Sequence, residues 1–315
     1  MTMSRRRMMA GTAGLGMAMA FRPLAAGATD SDGAGYFRAS IGGFEVVALP
    51  DGSVRRPMDE SFVRNAPLED VEAALDAAGL PTDHITNSFT PFVLIADGRH
   101  ILFDAGFADN GPEGTGLLQQ NMLAAGIDPG QIEAVVMSHL HGDHISGLRR
   151  SDGTLVYPEA QVWIPQPELD HWMSEERMAA APEGAQGGFR AVRRVLEEYP
   201  AERISAFAPG DPVADLLASE AGFGHSPGHT IFRLGEGADS FTYIGDAAHY
   251  PPLFVANPDW TVMFDMDPDA ARMVRRSILG RAADEGGVVG GYHFPFPAMG
   301  RIEPAGEGYA FEAAS

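Results

Sequence analysis

Residues 138–146, Ser-His-Leu-His-Gly-Asp-His-Ile-Ser, constrain this chain more than any other stretch. They place His139, His141, Asp143 and His144 within six consecutive positions. Imidazole and carboxylate together are the donor set for zinc and similar divalent ions. Ala134-Val135-Val136-Met137 stands directly before them and reads as a short buried strand. The fold must therefore end a buried strand at a polar, ion-binding edge. A solvated turn carrying histidines is the plain alternative, and the context of the cluster has to decide between the two.

Composition narrows the chemistry. The 315 residues include no cysteine, so thiolate ligands, disulfides and a cysteine nucleophile are excluded. Any metal here is held by nitrogen and oxygen. All 22 basic residues are arginine and face 43 acidic ones, a net charge of −21. Such a surface repels polyanions and argues against a nucleic-acid substrate. In the body of the chain no apolar run is long enough to span a bilayer. Ser4-Arg5-Arg6-Arg7 precedes a mildly apolar stretch and the small residues Ala26-Gly27-Ala28. Residues 1–28 thus resemble a twin-arginine export signal, implying the export machinery as a partner and a periplasmic protein. Residues 29–315 are expected to form the catalytic domain.

Further along, Phe92–Ala96 and His100–Asp104 flank Asp97-Gly98 and predict a hairpin. Gly114–Ala125 reads as a helix with Leu117, Leu118 and Met122 on one side. Gln161–Ile164 and Phe241–Ile244 read as strands, and Phe189–Tyr199 as a helix. Asp267-Pro268 opens another helix as N-cap and first-turn proline, closed by Gly286-Gly287. Val288-Val289 is a further strand. Met173–Gly188 lacks apolar periodicity and reads as a surface loop or lid. Alternating strands and helices, with polar groups at strand ends, define a layered α/β domain whose site lies at a sheet edge.

Three more candidate ligands stand beside glycine or proline: His229 in Gly228-His229-Thr230, Asp246 after Gly245, and His293 before Phe294-Pro295. Five histidines and two aspartates suffice for two ions sharing a carboxylate, roughly 3.5–4 Å apart. The series His139-Leu-His141-Gly-Asp143-His144, His229, Asp246, His293 resembles the metallo-β-lactamase-fold hydrolases over about Gly43 to Arg301. The resemblance implies an αβ/βα sandwich, two mixed sheets face to face with helices outside. It assigns His139, His141 and His229 to one ion and Asp143, His144 and His293 to the other. Asp246 and a hydroxide bridge them. Zinc is the default metal, with manganese, cobalt or iron as alternatives.

Particular residues narrow the branch. A redox di-iron member would carry glutamate where His141 stands, and three-histidine lactamases lack the aspartate found at 246. The ribonuclease-like branches are disfavoured by charge. Gly245-Asp246-Ala-Ala-His249, Ala256–Trp260 and His293–Pro297 look most like the exported methyl parathion hydrolase group, which includes lactone and aryl-ester hydrolases. The expected reaction is hydroxide attack on a hydrophobic lactone or aryl ester, with phosphotriester cleavage as the alternative. A mononuclear iron redox enzyme and a non-catalytic metal-binding protein are the readings from other classes. Asp143 and Asp246 are expected to orient the nucleophile. His249, three residues past Asp246, is expected to face the pocket and serve the leaving group. Trp172, Phe189 and Phe264 are expected to wall the substrate. His225 is expected to support a ligand rather than be one, and His84, His100 and His171 to lie outside the site. A homodimer is implied by resemblance alone.

Overall fold

The computed structural model describes residues 35–315, together with the backbone of a two-residue strand at Ala25–Ala26. The expected export segment, residues 1–28, lies outside the described residues apart from that strand. Two mixed sheets form the molecule's centre. One has eight strands in the order β1 (Ala25–Ala26), β2 (Phe37–Ile41), β3 (Phe44–Ala48), β6 (Phe92–Ala96), β7 (Arg99–Phe103), β8 (Ala134–Val136), β9 (Gln161–Pro165), β10 (Ile204–Phe207). A two-stranded ribbon, β4 (Gly52–Pro57) with β5 (His84–Phe89), stands beside it. The other sheet has six strands in sequence order. They are β11 (Ala218–Ala221), β12 (Thr230–Leu234), β13 (Phe241–Gly245), β14 (Val288–Gly291), β15 (Met299–Ala305) and β16 (Gly308–Ala313). This mixed α/β architecture is the one expected.

Period-2 patterning builds the layers. Val46, Ala48, Phe92, Leu94, Phe103 and Val136 share a core with Phe232, Phe241, Tyr243 and Val289 of the six-stranded sheet. The alternate residues Val47, Val93, Leu102, Val135 and Val162 face outward into a second core. That core is covered by α2 (Leu118–Ala124) and α6 (Gln186–Leu196) through Leu118, Met122, Val192 and Val195. Across the central core, Phe103 and Tyr243 stand 5.0 Å apart. A third cluster joins α1 (Leu68–Ala77) to the ribbon through Leu75 and Ile85.

The predicted hairpin forms with Ala96 opposite Arg99, and Asp97 and Gly98 both have positive φ, as a type I′ turn requires. The helix after Asp267 runs Pro268–Glu285. Asp267 accepts the Ala270 N–H, and Gly286 closes it in the left-handed conformation at φ 67°. Other predicted elements shift. The helix expected over 114–125 begins only at Leu118, because Gly114 and Gly116 have φ of 89° and 83° and Thr115 bridges Gly52. Leu117 is left exposed. The expected loop at 173–188 contains α5 (Glu175–Ala180), whose N-cap Ser174 accepts the Arg177 N–H, and the start of α6. Its missing periodicity reflects exposure, since α5 buries no residue.

Parallel pairing brings the strand ends together. Strands β7, β8 and β9 run parallel, as do β13 and β14. Asp104, His139–His144 and Glu168 follow the first three; Asp246 and His293 follow the other two. One edge of the sandwich thus collects these polar groups.

Candidate metal centre

The segment after β8 turns into a one-turn helix, α3 (Gly142–Ile145), directly after His141. The tight path puts His139, His141, Asp143 and His144 at one place. His139, His141, His225 and Asp246 each offer a donor atom within 4.8 Å of the others; so do Asp143, His144 and His293. Asp246 links the two groups. Its Oδ2 lies 3.2 Å from His225 Nε2 and 3.1 Å from His293 Nε2, and its Oδ1 lies 3.4 Å from His144 Nε2. Asp143 Oδ2 is 3.4 Å from His293 Nε2.

The donor groups differ from the expected ligands at one residue. His225, not His229, joins His139 and His141, with its Nε2 2.9 Å from His141 Nδ1. His229 faces elsewhere. Its Nδ1–H donates to Gly222 O at 3.1 Å, and its Nε2 accepts the backbone N–H of Asp246 at 3.0 Å. Both ring nitrogens are therefore engaged by the backbone, and His229 stands outside the donor groups. Gly245 permits this approach: its φ is 49°, and a Cβ there would stand 2.7 Å from His229 Nε2.

Three of the donor rings are oriented by a partner on their far side, the usual arrangement around bound metals. His144 Nδ1–H donates to Asp104 Oδ2 (2.8 Å), which also takes Ser138 Oγ–H and Tyr243 O–H, both at 2.6 Å. His293 Nδ1–H donates to Ser88 O at 2.9 Å. His225 Nδ1 lies 3.2 Å from Asp265 Oδ1, and Asp265 Oδ2 accepts from the buried Arg275 at 3.1 Å. Sequence reading missed Asp104, Asp265 and Arg275, because none sits in a ligand-spaced pattern.

The buried atoms left over test whether ions fit. His139 Nε2, His144 Nε2 and Asp246 Oδ1 are buried without a hydrogen-bond partner among the described residues. Leaving such atoms unpaired is costly, and all three belong to the two donor groups. The residues present fit two divalent ions. Titration behaviour agrees. Burial works against a charged His293, yet Asp246 and Asp143 hold it protonated up to about 10. Burial also opposes ionised Asp246, but His293 and His144 keep it well below the usual carboxylate range. Burial and the neighbouring His225 push His141 down to about 3. The carboxylates of Asp143 and Asp246 thus favour positive charge at this place.

Above this floor lies a cleft of about 520 Å³, lined by Asn87, Phe89, Phe107, Asn110 and Phe264 as well as the ligands. Phe264 lines it and is 38% exposed. Trp172 and Phe189 do not line it. They are buried in the outer core 4.9 Å from each other, with Trp172 edge-on to His141. Aromatic character alone could not separate wall from core. Phe89 and Phe107, the walls that were missed, come from the ribbon and from the loop after β7. His249 is buried rather than facing the open cleft. Its ring stacks on His293 at 5.0 Å and 9°, and its Nε2 lies 3.3 Å from Asp246 Oδ2. His84, His100 and His171 stand outside the donor groups.

A family model described as the metallo-beta-lactamase superfamily matches residues 86–293. The chain belongs to that superfamily. Among solved structures it is similar to hydrolase AbOPH of the beta lactamase superfamily, with 26% identity and a TM-score of 0.82 over 88% of this chain and 97% of that one. It is similar in fold to AidC, a dizinc quorum-quenching lactonase solved with a product. That pair shares 23% identity and a TM-score of 0.82 over 89% of this chain and 98% of that one. A local match to ribonuclease BN of Cronobacter sakazakii is 43% identical over 75 residues, 23% of this chain and 21% of that protein. The chain spans about a fifth of the length of the curated relatives it matches.

Proposed function

We propose that this protein is a two-metal hydrolase that opens lactones or cleaves hydrophobic aryl esters. The observation that carries this reading is the meeting of donor groups at Asp246, which stands with His139, His141 and His225 and lies 3.4 Å from His144 and 3.1 Å from His293, at the floor of a cleft walled by phenylalanines. His139, His141 and His225 would hold one ion, Asp143, His144 and His293 the other, with Asp246 common to both. Divalent ions bound there supply a water acidified to near-neutral pKa and a Lewis acid for a carbonyl oxygen.

The chain's own residues do the rest. Phe89, Phe107 and Phe264 desolvate an apolar substrate and exclude water from the reacting side. Asp143, held by the Tyr292 hydroxyl that donates to its backbone oxygen at 2.6 Å, presents a carboxylate that can orient the nucleophile's proton. His249 packs against Asp246 and His293, and its donor atom lies with theirs in a further group of three. A net charge of −21 disfavours RNA and other polyanionic substrates. AidC is named a lactonase, which supports a lactone substrate, and AbOPH is named a hydrolase of the same superfamily. The resemblance to the methyl parathion hydrolase group makes a phosphotriester the competing substrate.

A panel of acyl-homoserine lactones, dihydrocoumarin, aryl acetates and methyl parathion tests the reading. Higher kcat/KM on lactones or aryl esters is expected. Faster turnover of methyl parathion than of every carboxylic ester would reverse the substrate assignment.

A further inference from the structure

Glu168 lies in helix α4 (Gln166–Trp172), directly after β9, and belongs to neither donor group. It is fully buried. Its Oε2 accepts the backbone N–H of Leu140 at 3.0 Å and Trp172 Nε1–H at 2.8 Å. Its Oε1 accepts Ser226 Oγ–H and the backbone N–H of Gly228, both at 2.6 Å. All four partners are neutral donors. Leu140 lies between His139 and His141, and Ser226 follows His225. A single carboxylate therefore grips, from behind, both segments that carry the histidines of one donor group.

These segments come from different sheets. The Thr230 N–H to Ser138 O bond (2.8 Å) joins them directly, and Glu168 adds a second tie. Gly228 is what lets the chain come so near, since a Cβ there would stand 2.7 Å from Glu168 N. A buried carboxylate balanced only by neutral donors is expensive to maintain. A divalent ion held by the adjacent histidines would offset that cost, so the anion and the ion site would stabilise each other.

We propose that Glu168 is a positioning residue that sets the spacing of His139, His141 and His225, so that metal affinity of this half of the centre depends on it. The proposal rests on the two-metal reading. The test compares wild type, Glu168→Gln and Ser226→Ala, each stripped of metal and titrated with zinc against a competing chelator, and with cobalt(II) followed by its visible absorption. Glutamine keeps the shape but turns an amide NH2 toward two donors. The expected result is roughly a 10–100-fold loss of affinity for one ion, with the other unchanged. Ser226→Ala should shift the same ion by a smaller factor, with an unaltered circular dichroism spectrum.

Wild-type affinities and cobalt spectra in both variants would overturn the proposal. An equal loss at both ions would do the same, because it marks general destabilisation. If Glu168→Gln does not fold, Ser226→Ala decides: an unchanged affinity there counts against the role. A wild type that takes up no ion removes the two-metal reading itself and the proposal with it.

Discussion

At the floor of the cleft, His144 is wholly buried, and its far nitrogen is taken by Asp104, which is tied in turn to Ser138 and Tyr243. At the mouth, Phe264 is 38% exposed, held by edge contact with Phe62 at 6.5 Å and by Arg56 over its ring at 5.4 Å. Floor side chains are held by directional bonds tied into a network through Asp104, wall side chains by weak contact with neighbouring rings. Directional networks in a low dielectric allow one arrangement, whereas apolar contacts tolerate exchange. The reaction type is therefore written into the floor, and the choice of substrate into a few replaceable rings.

Removing the shared ligand should break the floor outright. Asp246→Ala is expected to lower bound metal below two ions per chain. It should cut turnover by more than the roughly 100-fold typical of changes behind a ligand. Elemental analysis alongside kinetics checks this, and two retained ions would remove Asp246 from its place. The next effect separates two histidines four residues apart. His225→Gln should lose one ion. His229→Gln should keep both, since its side-chain oxygen can still accept the Asp246 N–H. The reverse pattern would restore the assignment suggested by sequence alone.

That pair shows what the sequence reveals and what it hides. The cluster at 139–144 is legible because its donors are contiguous, and strand β8 before it is legible because Val135 and Val136 are apolar and β-branched. In Gly224-His225-Ser-Pro-Gly-His229, by contrast, both histidines have equivalent local chemistry. The choice depends on which ring nitrogen the Asp246 N–H occupies, a contact made 17 residues away. Trp172 and Phe189 fail for a similar reason. Their burial is decided by α4 packing on α6, which composition does not encode. The partners Asp104 and Asp265 are single aspartates among many, and only tertiary pairing marks them.

Wall substitutions should act more mildly and on binding. Phe264→Ala is expected to lower kcat/KM for hydrophobic esters about tenfold, through lost contact worth about 1–2 kcal/mol. The change should appear mainly in KM. Phe189→Leu should leave KM untouched and lower the melting temperature, as for a core residue. If both shift KM equally, the distinction between wall and core at these positions fails.

The smallest signal is a proton count. His293, held near 10 by Asp246 and Asp143, carries a proton at pH 7.5 until a cation displaces it. Ion uptake by stripped protein should then release protons, and calorimetric enthalpies should vary with buffer ionisation heat. Enthalpies independent of buffer would contradict this charge state.

The most direct measurement is metal content together with chelator-reversible turnover on the wild-type protein. The floor geometry predicts two divalent ions per chain, lactone or ester hydrolysis abolished by chelation, and activity restored by zinc or another divalent metal. A single redox-active iron, or hydrolysis that survives complete metal removal, would contradict it.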